Sequence, residues 1–213
     1  MENHPDGYGR PVRTLYDTIM QKIMFNDKYG LTQAVLEGRK TMTRRVVSEN
    51  LLQQAEAYRH EFYNYTLDTL PLEDALLEFS PFKIGDVVAV AQRYKDVRDI
   101  IGDGPHDGKF LKFMEGWNNK MFVKPKLMPH RIRITNIRVE RLQDISDEDC
   151  MREGILEDCP NVQYSFPTEI SYCGQYPFNT PREAFAALID KISGKGTWEM
   201  NPFVFVYEFE RIR

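Results

Sequence analysis

The residues able to do chemistry are unevenly spread along this 213-residue chain. The segment GRKTMTRR, residues 38–45, sets Arg39, Lys40, Arg44 and Arg45 beside two hydroxyls, Thr41 and Thr43. Cations at that density suit contacts to phosphate or to a base edge, and a lysine drawn out of water loses its proton more readily. Such clusters are also commonly solvated, so alone they locate a candidate site without defining one. A second basic run, Lys109 to Arg141, carries nine Lys and Arg against only Glu115 and Glu140, and Arg131 lies within it. Tyr94, Trp117 and Phe122 lie in or near that run, a mixture of stacking rings and positive charge of the kind single-stranded nucleic acid uses. For Trp117, packing of the loop is the preferred reading. Acidic residues follow directly, from Asp144 to Asp158, so charge is segregated along the chain.

Several chemistries are excluded. Cys150, Cys159 and Cys173 are odd in number and match neither CxxC nor a finger spacing, and none of the four His sits at ligand spacing. Free thiols are expected, with no metal and no cofactor. There is no GxGxxG, Walker loop or GxSxG elbow, which removes dinucleotide and P-loop chemistry. A net charge of −4 argues against coating nucleic acid non-specifically, a mode that depends on neutralising phosphates. No signal-like h-region or long apolar run is present, so a cytoplasmic protein with no membrane or lipid partner is expected.

The elements that must position these residues can be read from periodicity and caps. With 42% hydrophobic residues the chain can bury a real core, and its length predicts a single domain over 1–213. Residues 1–12 read as a flexible arm. QKIMFND predicts a short strand. GLTQAVLEGRK predicts a helix with Leu31, Ala34 and Val35 inward, ended by Gly38 in the left-handed conformation. GRKTMTRR then leaves a helix and enters an extended segment, where Lys40 and Thr43 need not face alike. Residues 48–82 have helical character and read as an insertion before the strand GDVVAVAQ.

The glycines between Ile101 and Gly108 and the aperiodic run to Pro129 predict a long exposed loop. HRIRITNIRVERLQDI predicts a long strand, with a bulge where its apolar positions change from even to odd between Ile134 and Ile137. SDEDCMREG is a helix with Ser146 as N-cap, acids in its first turn and Gly154 closing it, which puts Glu153 at its end. TPREAFAALIDKISG is a second, with Thr180 as cap, Pro181 at the first position and an apolar face of Phe185, Leu188, Ile189 and Ile192. NPFVFVYEFERIR predicts a buried closing strand with its proline at the start.

The order of pieces then matters: a helix, GRKTMTRR, KIGDVV, MPHRIRITNIRVERLQDI, an EGI stretch, and W-x-x-NPFVFVYEFE. Together they resemble the ASCH family, and more narrowly its phage-associated branch. The family's G-x-K-x-x-x-x-R frame is matched by Gly38, Lys40 and Arg45. The resemblance runs from about Ile23 to Phe209, apart from residues 48–82 and 154–176.

That resemblance implies an α+β, PUA-like small β-barrel with flanking helices and a helical insertion. It implies a pocket for RNA or a modified nucleoside, marked by Lys40, Thr43, Arg45 and Glu153. Where the family usually has Glu, three residues after the lysine, this chain has Thr43. Lys-x-x-Thr is similar to the branch that removes acetyl groups from N4-acetylcytidine, whose later-helix Glu is matched by Glu153. In that reading Thr43 attacks the acyl carbon, neutral Lys40 takes its proton, Glu153 passes a proton to the amine, and Arg45 holds the oxyanion or stacks on the base. The family's acid after the GD strand is here Gln92, which can still hydrogen-bond a base edge. Arg39, Arg44, Arg45, Gln92, Tyr94 and Arg131 are the expected ligand contacts. Binding of RNA or a nucleoside is the first expected function, amide hydrolysis on an N4-acylated cytidine the second. Metal-free RNA cleavage with Lys40 and Glu153 as base and acid is the third.

Overall fold

Two long strands organise the molecule. The computed structural model describes residues 20–158, 163–167 and 178–212. The expected arm at residues 1–12, Cys159 and Cys173 lie outside the described residues. Strand β1 is Lys22–Ile23, β2 Met42–Val46, β3 Val87–Val90, β6 Arg131–Arg141 and β9 Phe203–Ile212, and they form one sheet in the order β1-β3-β6-β9-β2. β1 lies parallel to β3, and the other neighbours are antiparallel. Two small hairpins stand apart, β4 (Pro105–His106) with β5 (Lys109–Phe110), and β7 (Leu156–Asp158) with β8 (Gln163–Ser165). The described residues thus form a mixed α/β fold around a five-stranded mixed sheet.

β6 pairs with β9 along their length, with a register shift between Ile134 and Asn136, where the apolar positions of the sequence change parity. The bulge lets Ile132 and Ile134 be fully buried while Ile137 and Val139 pack at the core's edge. β9 is buried on both faces, Val204 and Val206 on one and Phe205, Tyr207 and Phe209 on the other. That is why its sequence is a nearly unbroken apolar run.

Seven α-helices surround the sheet among the described residues: α1 (Leu31–Leu36), α2 (Glu49–Thr66), α3 (Leu72–Glu78), α4 (Tyr94–Ile101), α5 (Asp147–Arg152), α6 (Pro181–Ser193) and α7 (Thr197–Met200). None is long and apolar enough to cross a membrane. The caps follow the residue chemistry. Ser146 accepts from Asp149 N–H and Thr180 from Glu183 N–H, each satisfying a donor the helix cannot. α6 buries Ala184, Phe185, Leu188 and Ile189, worth roughly 1.5–3 kcal/mol for each large side chain fully removed from water. Residues 48–82 form α2 and α3, a helical pair on the sheet through Ala75 and Leu76, while α2 fully buries only Ala55.

A second, smaller core lies on the other face of β3. Ala89, Ala91, Tyr94, Val97, Leu111, Val123 and Met128 meet there. The run from Lys109 to Pro129, expected as an exposed loop, is pinned to this core and coils into four short 3-10 turns.

Candidate functional site

The turn after α1 starts the site. Gly38 adopts φ +79°, and the N–H groups of Arg39 and Lys40 both return to the Ala34 carbonyl, at 2.9 and 3.0 Å. This reversal drives the Lys40 side chain inward before β2 begins. Thr41 then bridges α5 and β9, its N–H donating to Arg152 O and its carbonyl accepting from Phe209 N–H.

α5 delivers the partner. Glu153 is its C-terminal cap, and Gly154, at φ +103°, packs against Leu31, Ala34 and Lys40. Lys40 Nζ donates to Glu153 Oε2 at 2.5 Å and to the Glu153 carbonyl at 2.7 Å. Both side chains are almost wholly out of water. Burial pulls the Lys40 ammonium below its usual range. The Glu153 carboxylate works against that, and the Arg45 and Arg44 charges add to it.

Glu153 is held in turn by Arg44, whose Nη1 lies 3.3 Å from Oε1. The Arg44 side chain is fully buried, and its Nη2 reaches Glu140 at 2.6 Å and Asp149 at 2.8 Å. Arg138 and Arg152 complete the lattice, Arg138 on Asp149, Glu140 and Glu208, Arg152 on Glu208 and Asp149. Burial opposes the Arg44 charge, but these carboxylates outweigh it and raise its pKa.

Lys40, Thr43, Arg44, Arg45 and Glu153 line one cavity of about 80 Å3. Phe25 and the α6 residues Phe185, Leu188, Ile189 and Ile192 complete its walls. Thr43 is buried, and its hydroxyl has no hydrogen-bond partner among the described residues. Arg45 crosses from one sheet edge to the other. Its Nη2 donates to Met24 O at 2.5 Å, just past β1, and its guanidinium lies 5.7 Å from the Phe25 ring. Lys40 Nζ lies 5.9 Å from the same ring. Arg45 also lines a more apolar cavity of about 320 Å3 between those edges, with Ile23, Phe82, Phe205, Tyr207 and Leu51 of α2.

Of the nine residues singled out from sequence, five therefore meet and four stand elsewhere. Arg39 is paired with Glu37 outside the cavity. Gln92 is buried beside Met128, its Oε1 without a hydrogen-bond partner among the described residues. Tyr94 is a core residue whose hydroxyl accepts from Lys124 N–H. Arg131 is half-buried in β6, opposite Ala89 and Ile212. Arg44, expected at the ligand, is instead saturated by carboxylates. Phe25, Asp149 and Glu140 escaped the sequence reading, because nothing in their spacing ties them to residues 40–45. α6 was legible only as a core helix. Cys150 is a buried free thiol whose pKa burial pushes up to about 12, too high for a nucleophile. No known protein-family model, curated protein or solved structure matches the chain.

Proposed function

We propose that this protein is an ASCH-like amidohydrolase acting on an N4-acylated cytidine or a closely related acylated nucleobase, within a PUA-like barrel. One observation carries the reading: a buried Lys40–Glu153 contact of 2.5 Å shares a small cavity with the Thr43 hydroxyl, which has no hydrogen-bond partner among the described residues. The barrel is supported by Arg45, which bridges the two edge strands, and by the cavity between them.

The charge balance favours amide chemistry over anion capture. Lys40 and Arg44 are already matched by Glu153, Glu140 and Asp149, so little net positive field is left for a phosphate. A neutral acyl group suits that balance. The lysine proton passes to Glu153 Oε2, leaving Nζ neutral. Nζ accepts the Thr43 hydroxyl proton as Oγ1 bonds to the acyl carbon. The carbonyl electrons move to oxygen, where Arg45 offsets the charge. When they return, the C–N4 bond breaks and Glu153 supplies the proton that completes the amine. Lys40 again passes its proton to Glu153, water attacks the Thr43 ester and loses a proton to Nζ, and as the C–Oγ1 bond breaks Glu153 returns its proton to Oγ1, releasing the carboxylic acid and free Thr43. The sum is one amide and one water giving one acid and one amine.

Binding without turnover is favoured by the stacking of Arg45 over Phe25, an arrangement that can also hold a base. Incubation with N4-acetylcytidine separates the two. Release of cytidine and acetate supports hydrolysis, and saturable binding with no release leaves a reader of the modified base.

A further inference from the structure

Residues 105–127 hold a group of exposed large apolar side chains. Phe110, Phe113, Met121 and Phe122 are 49%, 70%, 57% and 52% exposed. Phe113 and Phe122 face an open groove of about 370 Å3, with His106, Lys109, Met114 and Lys124 beside them and the acids Asp107 and Glu115 also in its wall. Lys109, Lys112, Lys124 and Lys126 are all exposed there, and only Lys124 is ion-paired among the described residues, to Asp107. Lys112 lies over the Phe113 ring, 4.9 Å from its centre. Asp107 and Glu115 are the only acids in the segment, so a basic patch stands on a chain of net charge −4.

The segment is fastened to the second core and to α4. Gly116 lies flat against the buried Tyr94 ring, and Lys95 donates to Asn118. It is also fastened to the candidate site. Lys120 Nζ donates to the Phe25 carbonyl and to Asp27 at 2.7 Å, and Lys22 Nζ to the Met121 and Val123 carbonyls. Phe25 is the ring beside Lys40 and Arg45, so Phe122 stands two residues beyond the Lys120 staple that joins the segment to the cavity wall.

We infer that this segment is a platform for single-stranded nucleic acid. Phe113 and Phe122 stack on unpaired bases and the lysines meet the phosphates, next to the cavity that takes the modified base. Exposed rings are stacking surfaces for any base, and lysines among them neutralise the backbone. A purely apolar protein partner would not call for the four lysines. Resting on the proposed function, the inference narrows the substrate to a modified base carried in a strand.

The test is fluorescence anisotropy of the full chain with fluorescein-labelled oligouridylate, which has no acyl group and so reads the platform alone. Binding should weaken with salt. It should fall roughly five- to a hundred-fold for each stacked base lost in Phe113→Ala and Phe122→Ala, and stay unchanged in Tyr65→Ala, an exposed ring on α2. Lys112→Gln with Lys126→Gln should flatten the salt dependence. Both rings are exposed, so the variants keep the parent's thermal midpoint. Absence of binding at low salt, equal binding by the phenylalanine variants, or equal affinity for a duplex overturns the platform. Binding as described by a protein that releases nothing from N4-acetylcytidine overturns the hydrolase reading and leaves the platform intact. A matching single-stranded deoxyoligonucleotide tells whether the 2′-hydroxyl is read.

Discussion

Removing Glu153 should cost more stability than removing Lys40, although the two are partners. Their side chains are 5% and 2% exposed, so screening by solvent is slight. Breaking a buried pair by deleting one member costs about 3–5 kcal/mol, because the survivor is left charged and dry. What remains for each survivor differs. In Glu153→Leu, Lys40 keeps only the backbone carbonyl at 2.7 Å, a neutral acceptor. In Lys40→Met, the Glu153 carboxylate keeps Arg44 at 3.3 Å. The first variant should therefore sit at the top of the range and the second at or below its foot. Against a total stability of about 5–15 kcal/mol, Glu153→Leu removes a third or more. The double variant leaves neither charge, and should lose well under the sum of the singles. Urea unfolding followed by the fluorescence of Trp117 and Trp198 measures all four proteins. If the double variant is additive within about 0.5 kcal/mol, or Lys40→Met proves the worse single, the pairing described here is not what holds these residues.

Other consequences can be measured directly. Because neutral Lys40 with protonated Glu153 holds the same protons as the resting pair, the hydrolysis rate should hold level and then fall as pH rises through a value below the 10.5 of an ordinary lysine, where the pair loses that proton, a profile read from initial rates across the alkaline range. Burial tends to raise the Asp149 pKa, but hydrogen bonding and charge from Arg44, with Arg138 and Arg152, outweigh it and hold it low, while Arg152 chiefly does the same for Glu208. A depressed folded value contributes stability that is complete above the unfolded value, near 4, and is lost as pH falls through the folded one. Asp149→Asn should accordingly flatten the acid limb of the stability curve, followed by urea titrations below pH 5. Gly116→Ala would bring a Cβ to 2.5 Å from the fully buried Tyr94 ring and should cost about 1–3 kcal/mol, seen as a lowered thermal midpoint.

Much of the scaffold was written locally. The Ser146 and Thr180 caps, the Gly38 reversal and the bulge near Asn136 each depend on a few adjacent residues, and each is where its residues put it. The site was legible in part. Lys40, Thr43 and Glu153 share a cavity although alternation along an extended segment gave no reason for the first two to face together; the inward turn after Gly38 precedes the strand and frees Lys40 from its alternation. Arg44 shows the opposite. Its neighbours and charge suggested a ligand contact, but its partners lie about a hundred residues away, on β6 and α5, and no local pattern announces them. Of the three rings in or near the basic run, Tyr94 packs inward and Trp117 partly so, packing being the preferred reading for Trp117, while Phe122 is exposed together with Phe110 and Phe113. Which aromatic of a basic loop turns to the core is decided by the small second core beneath it, through contacts such as Gly116 on Tyr94.

The most direct measurement places the purified protein and its Thr43→Ala and Lys40→Ala variants in N4-acetylcytidine and follows free cytidine by chromatography. The account predicts release by the parent, none above background by either variant, and an unchanged fold for Thr43→Ala by circular dichroism. Release that persists in Thr43→Ala, or a folded parent that releases nothing, would contradict it.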